Sequence, residues 1–290
     1  NDFANARQVF RHALICGVAF SIFVSLLCVG IHGYLPYWLG GGADIATNSS
    51  RYFLIYGLVL PFVFLYHISE MMLKSAGNMH IPSVMAVLIC ICDVIFNYLF
   101  IYILKLGVVG AALGTAMAYV CISLPNLYLA GFKNKILNLR QDHVRFCWVR
   151  PYVHNACKIS IPIAIQNILM SGAQIVSTMI VAPLGNIAIA SHSFAITAES
   201  LCYMPGYGIG DAATTLVGQT HGAGRVGLCK NFAYMTVGLG MAVMAVMGVV
   251  MYVFAPEMIG VLSPVESIRE MGTICLRIEA FAEPFFAASI

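Results

Sequence analysis

Apolar residues run continuously through this chain in stretches of roughly 20 or more, near residues 12–33, 52–73, 82–104, 107–132, 157–182, 187–210, 229–254 and 270–290. A helix needs about 20 apolar residues to cross the hydrocarbon core of a bilayer. Backbone polar groups in lipid must bond within their own segment or around a closed barrel. Barrel strands are shorter and alternate polar with apolar positions; these runs do not alternate, so the pattern predicts about eight transmembrane helices. Composition agrees. Of 290 residues 60% are hydrophobic and 9% charged, against about 25% charged in a soluble domain.

The basic residues orient the spans. With the amino end inside and the spans alternating from there, eleven Lys and Arg fall in inside segments. Arg51, Lys105 and Arg269 fall outside, and Arg277 lies within the last span. Basic residues concentrate in cytoplasmic loops, so the chain is expected as a multi-pass protein of the cell (inner or plasma) membrane with its basic loops cytoplasmic. The one long basic segment divides the chain into an amino-terminal bundle (1–132), a cytoplasmic connector (133–156) read as a solvated linker, and a carboxy-terminal bundle (157–290). The net charge of +3, thinly scattered, gives no nucleic-acid surface. Most of the ten cysteines lie in apolar runs, where Cys behaves as a small hydrophobe.

Landmarks recur about 220 residues apart: Phe10 and Phe232, Pro36 and Pro256, Pro61-Phe62 and Pro284-Phe285. An even number of spans separates the copies, so both point the same way through the membrane. That is the signature of two bundles related by an axis along the membrane normal, with a cavity between them. In this register the eight spans belong to an expected twelve, with spans to be added at both ends: an all-α membrane protein of two pseudo-symmetric six-helix bundles.

Three stretches resemble the multidrug and toxic compound extrusion (MATE) family. They are Leu73-Lys74-Ser75-Ala76-Gly77-Asn78 with Ile81-Pro82; Asn97 through Gly107-Val108-Val109-Gly110-Ala111-Ala112-Leu113-Gly114-Thr115; and Ile161-Pro162 through Val217-Gly218-Gln219-Thr220-His221-Gly222-Ala223-Gly224. The resemblance covers essentially the whole chain, from the third to the tenth helix of a twelve-helix fold. It implies a monomeric transporter rather than an enzyme. Such a protein exports cationic amphipathic drugs in exchange for Na⁺ or H⁺ by alternating access, with no cofactor beyond the coupling ion.

Charged and polar side chains inside the runs carry the candidate chemistry, because a carboxylate at a membrane helix centre costs about 2.5–3.5 kcal/mol on insertion scales. Asp93 and Asn97 stand one turn apart on one face, a pair able to ligate a hard cation or hold a proton, or else to bond neighbouring helices. The family's fifth helix carries an Asn and an Asp four apart, with a Thr 18 residues after the Asp. Here Asn97 and Thr115 keep that separation, but Asp93 precedes Asn97, which moves the charge by about one turn, 5.4 Å. The resemblance thus marks Asp93, Asn97 and Thr115 as a cation or proton site. Glu199, Glu279 and Glu283 are candidates for an acidic lining of the drug cavity in the second bundle. The last two are alternatively hydrated near the outer end beside Arg277. Gln166 is a further polar candidate, and Met170 occupies the place where part of the family has a Glu. Asp211 and Glu70 lie near the ends of their runs and read as structural. His67, His12 and His192 show no metal spacing. A flippase for lipid-linked saccharides is the alternative; its phosphates call for several cations, and only Arg277 lies within a span.

Overall fold

A computed structural model describes residues 3–35, 43–134, 136–139 and 148–289; Pro36 of the repeat and Lys135, Arg140 and Arg145 of the connector lie outside them. Among the described residues the chain is helical, with no strand. The helices are α1 (Phe3–Ile31), α2 (Ala43–Ser75), α3 (His80–Tyr98), α4 (Gly107–Tyr128), α5 (Arg150–Val181), α6 (Asn186–Gly222), α7 (Val226–Leu262), α8 (Glu266–Glu279) and α9 (Glu283–Ser289). Short π-helical turns, Leu99–Ile103 and Leu129–Lys133, extend α3 and α4. Six of the helices, α1 to α5 and α7, are long and apolar enough to cross a membrane by length and composition. The two other expected spans fall on α6, 37 residues long, and on the α8–α9 pair. Two compact units form, Asn1–His154 and Asn155–Ile290.

In the first unit α2 packs against both α1 and α4, and α3 packs on α4. Close approach of α3 and α4 depends on small residues every fourth position of α4, Gly110, Gly114 and Ala118, all buried; removing side chains lets membrane helices come together. A tight turn joins the two helices. There Lys105 and Gly107 adopt positive φ (54° and 57°), and the carbonyl of Phe100 accepts a hydrogen bond from the Leu106 N–H at 3.0 Å. At the end that carries the basic loops, Phe10, Leu73, Ala130 and Leu137 form a fully buried cluster.

The described ends of the connector, residues 136–139 and 148–149, are bonded to α1. Arg7 Nε donates to the Ile136 carbonyl (3.0 Å) and Arg11 Nη2 to that of Leu139 (3.1 Å). His12 Nε2 accepts from the Val149 N–H at 3.0 Å, with the Trp148 ring 5.3 Å from its own. One turn and a half of α1 thus fastens both described ends of the connector. The basic residues of α1 satisfy connector carbonyls, a role that charge counting alone does not reveal.

In the second unit α6 packs along α7 and also on α8, while α9 packs on α7. Small residues of α6 (Ala198, Cys202) meet Met251, Ala255 and Ile259 of α7 and Leu276 of α8 in a buried core. None of the residues of α5 is buried, and α3 buries only Pro82. These are apolar surfaces suited to lipid or to further helices.

The final run is broken, where one continuous helix was expected. Turns at 280–282 separate α8 from α9. Pro284 has no N–H to give the carbonyl four residues back, and its ring would clash with it. That carbonyl, Ala280 O, instead rests against Gly248 of α7, where an added Cβ would lie 2.7 Å from it and 3.4 Å from Glu283 Cβ. A methyl group there has to push backbone aside. Gly248→Ala is therefore expected to cost about 1–3 kcal/mol, the range for overpacked cores, read as a lowered unfolding temperature of the purified protein. Gly172→Ala, with nothing within 4 Å of the added Cβ, should leave it unchanged or slightly raised, since Ala is favoured over Gly within helices.

Candidate functional site

Two polar clusters interrupt the apolar interior. The first is built on α3 and α4. Asn97 lies across Gly114, the residue before Thr115. A Cβ on Gly114 would come 2.9 Å from Asn97 Cγ and 2.9 Å from its backbone nitrogen. One turn earlier on α3, Asp93 is near enough to Tyr119 of α4 to act on it electrostatically. One carboxylate oxygen of Asp93 and the amide oxygen of Asn97 are buried with no hydrogen-bond partner among the described residues. A buried polar group left unpaired costs about 1–3 kcal/mol, more when charged. Two on one face of one helix are what a visiting cation or proton would relieve. Thr115 is half-buried on α4.

The polar surroundings of Asp93 continue onto α2. Tyr119 packs edge-on against Tyr66 (centroids 5.9 Å apart) and tilted to His67 (6.5 Å). Tyr66 is 4% exposed, and its carbonyl accepts from the Asn126 amide at 3.3 Å. His67 reaches Glu70 at 3.3 Å and Glu70 reaches Lys74 at 2.9 Å. Glu70 is thus held by partners of its own helix, in keeping with the structural role expected of it. Tyr119 and Gly114 were not singled out from the sequence. Tyr119 follows Thr115 by four residues on the same helix face, which is the signal that could have found it.

The second cluster gathers Glu199 of α6, Glu279 at the end of α8 and Glu283 at the start of α9, which lie within mutual electrostatic range. The helix break brings this about, turning the chain between the two later glutamates. Glu283 is 2% exposed. Both its carboxylate oxygens, and one of Glu279, are buried without a hydrogen-bond partner among the described residues. Arg277 is engaged elsewhere: its Nε donates to the Tyr252 carbonyl at 3.3 Å, and its guanidinium lies 5.3 Å from the Tyr252 ring centre. The alternative of a hydrated pair beside Arg277 is not what the structure shows for Glu283.

Gln166 does not join the glutamates. It lines a cavity of about 250 Å³ shared by α5, α6 and α9, with Asn167, Tyr207, Asp211 and Phe286 in the same wall. Asp211, read from sequence as a residue at the end of a span, stands in the body of α6, which continues eleven residues beyond it to Gly222. Within it Thr214 and Thr215 donate their hydroxyls to the carbonyls of Gly210 (2.9 Å) and Asp211 (3.1 Å), which satisfies both side chains inside the helix. Among the described residues no group of three or more His, Cys, Asp and Glu side chains is placed to hold a metal ion.

Comparison with known proteins adds the following. The MatE family model matches residues 1–99 and 162–290. Multidrug export protein MepA of Staphylococcus saprophyticus is 24% identical over 277 residues, which cover 96% of this chain and 61% of MepA. Probable multidrug resistance protein NorM of Bacillus licheniformis is 24% identical over 220 residues, 74% of this chain and 49% of NorM. The chain therefore spans at most about three fifths of these relatives. A solved outward-facing structure of a multidrug resistance MATE family transporter of the MOP superfamily matches at a TM-score of 0.87 and 18% identity, over 99% of this chain and 66% of that one. A MOP superfamily transporter from Pyrococcus furiosus matches at 0.85 and 19%, with the same coverage. At such identities the structural likeness shows the fold.

Proposed function

Because the chain belongs to the MatE family of transporters, we propose that it is the greater part of a multidrug exporter of the cell membrane, its basic loops in the cytoplasm, which expels cationic amphipathic compounds in exchange for Na⁺ or H⁺. The names of MepA and NorM support drug export. The exchange rests on one observation: the buried, unpartnered oxygens of Asp93 and Asn97 one turn apart on α3. An ion entering there would compensate a carboxylate whose solitude in lipid is costly. Coupling then requires that ion and drug prefer different states of the transporter.

The three glutamates of the second unit support cationic over anionic cargo. A phosphate-bearing lipid headgroup would meet like charge there, and that disfavours the flippase alternative. The cavity candidates Glu199, Glu279 and Glu283 would attract the drug's positive charge.

The test is ethidium efflux from vesicles containing the full-length protein, with a Na⁺ gradient and a pH gradient imposed separately. Efflux driven by one of the two is the expected result and identifies the ion. Efflux indifferent to both, at a rate equal to empty vesicles, would overturn the reading.

A further inference from the structure

A polar file on α2 stands between Asp93 and the end of the first unit that carries the basic loops. Helices α3 and α4 are consecutive and antiparallel, and Asn97 lies on Gly114, so one turn back on α3 is level with one turn forward on α4. Asp93 therefore comes level with Ala118 and Tyr119, which agrees with its electrostatic action on Tyr119. Tyr119 in turn meets α2, where its ring contacts those of Tyr66 and His67.

The bond to Glu70 fixes the tautomer of His67. Its Nδ1 lies 3.3 Å from Glu70 Oε2, and Glu70 Oε1 lies 2.9 Å from Lys74 Nζ. A carboxylate only accepts, so Nδ1 carries the hydrogen and Nε2 is the base of the neutral ring. Nε2 has no hydrogen-bond partner among the described residues. The His67 side chain is 55% exposed and that of Glu70 13%. His67 lies eight residues before the end of α2 at Ser75, about 12 Å along the axis. A file of imidazole, carboxylate and ammonium inside a span is costly against lipid and belongs against water. The other titratable groups within electrostatic range of this stretch are Tyr56 of α2 and Cys90 of α3.

Hard cations take oxygen ligands; an imidazole with an open ring nitrogen, oriented by a carboxylate, serves proton transfer. We propose that His67 is the proton acceptor of the first unit, taking the proton that Asp93 gives up and delivering it towards the Lys74 end of α2, with Tyr119 as the bridge and Glu70 fixing the ring. The Tyr119 hydroxyl oxygen, through a bridging water, accepts a proton from the Asp93 carboxyl and passes its own to His67 Nε2. This leaves an Asp93 carboxylate, an unchanged phenol and an imidazolium paired with the Glu70 carboxylate. The imidazolium returns to neutral by losing its proton to water at the Lys74 end. The proposal rests on the exporter reading for exchange at Asp93, and narrows its ion to H⁺.

The experiment mixes ethidium with full-length protein in lipid nanodiscs in weak buffer and follows proton release with a pH dye by stopped flow. The amplitude reports Asp93, and the rate reports the path. His67→Gln, whose amide can still donate to Glu70, is expected to release as many protons per ethidium as the parent but about ten-fold more slowly, below the usual contribution of a positioned proton-transfer group. Glu70→Gln, which still accepts from Nδ1 but lacks the charge, should slow release by a smaller factor. A merely structural role for His67 would lower the amplitude with the share of folded protein and leave the rate alone, which overturns the proposal. A His67→Gln rate equal to the parent's overturns it too, as does a parent that releases Na⁺ and no proton; in both cases the exporter reading stands. A parent that neither binds ethidium nor expels it from vesicles overturns both.

Discussion

Asp93→Asn in the full-length protein should lower ion-driven drug efflux at least ten-fold, within the roughly 5- to 150-fold span of typical coupling free energies, while the amount of protein in the membrane stays the same. The substitution preserves size and removes only the charge. The amide would fill the same volume on α3 as the carboxylate, so packing of α3 on α4 should survive. What is lost is the reason for a cation to enter. Vesicle efflux normalised to protein content measures it. A variant that pumps like its parent would remove Asp93 from the coupling step.

Gly114→Ala should be nearly as damaging, for a steric reason. The added methyl would overlap the Asn97 side-chain oxygen and come 2.9 Å from the Asn97 backbone nitrogen. The amide has room to rotate away, but the nitrogen does not, so α3 and α4 must separate. Overpacking of this kind costs about 1–3 kcal/mol. It also carries Asn97 out of its place beside Thr115's neighbour, so transport should fall several-fold even in the fraction that folds. Asn97→Ala combined with Gly114→Ala is the informative partner. It relieves the side-chain overlap, so stability should recover in part while transport does not. Unfolding temperature and efflux measured on the same preparations separate the two effects, and equal recovery of both would show that Asn97 acts only in packing.

What could be read from the chain, and what could not, follows from the range of each physical cause. Continuous apolar runs are local, and they located the helices apart from the break between α8 and α9, although α5 and α6 extend past their runs to Arg150 and Gly222. Spacing of four along one helix is local too, so Asp93 with Asn97 was visible. Contact between helices is not local. Nothing in the sequence announces that Asn97 lies on Gly114, that Tyr119 is within electrostatic range of Asp93, or that Gln166 shares a wall with Asp211 instead of with the glutamates. The break at 280–282 was within reach, since Pro284 denies a partner to Ala280, but its consequence depends on Gly248 opposite. The Arg7, Arg11 and His12 bonds to the connector span more than a hundred residues, a separation that charge patterns do not bridge.

If Asp93 is the coupling residue proposed above, its carboxylate gives up a positive ion whenever drug is taken up. The direct measurement is the number of cations released per drug bound, read with Na⁺ and pH electrodes on concentrated full-length protein in weak buffer. The parent should release a cation on adding ethidium, and Asp93→Asn should release one fewer. Equal release from both proteins would contradict the account.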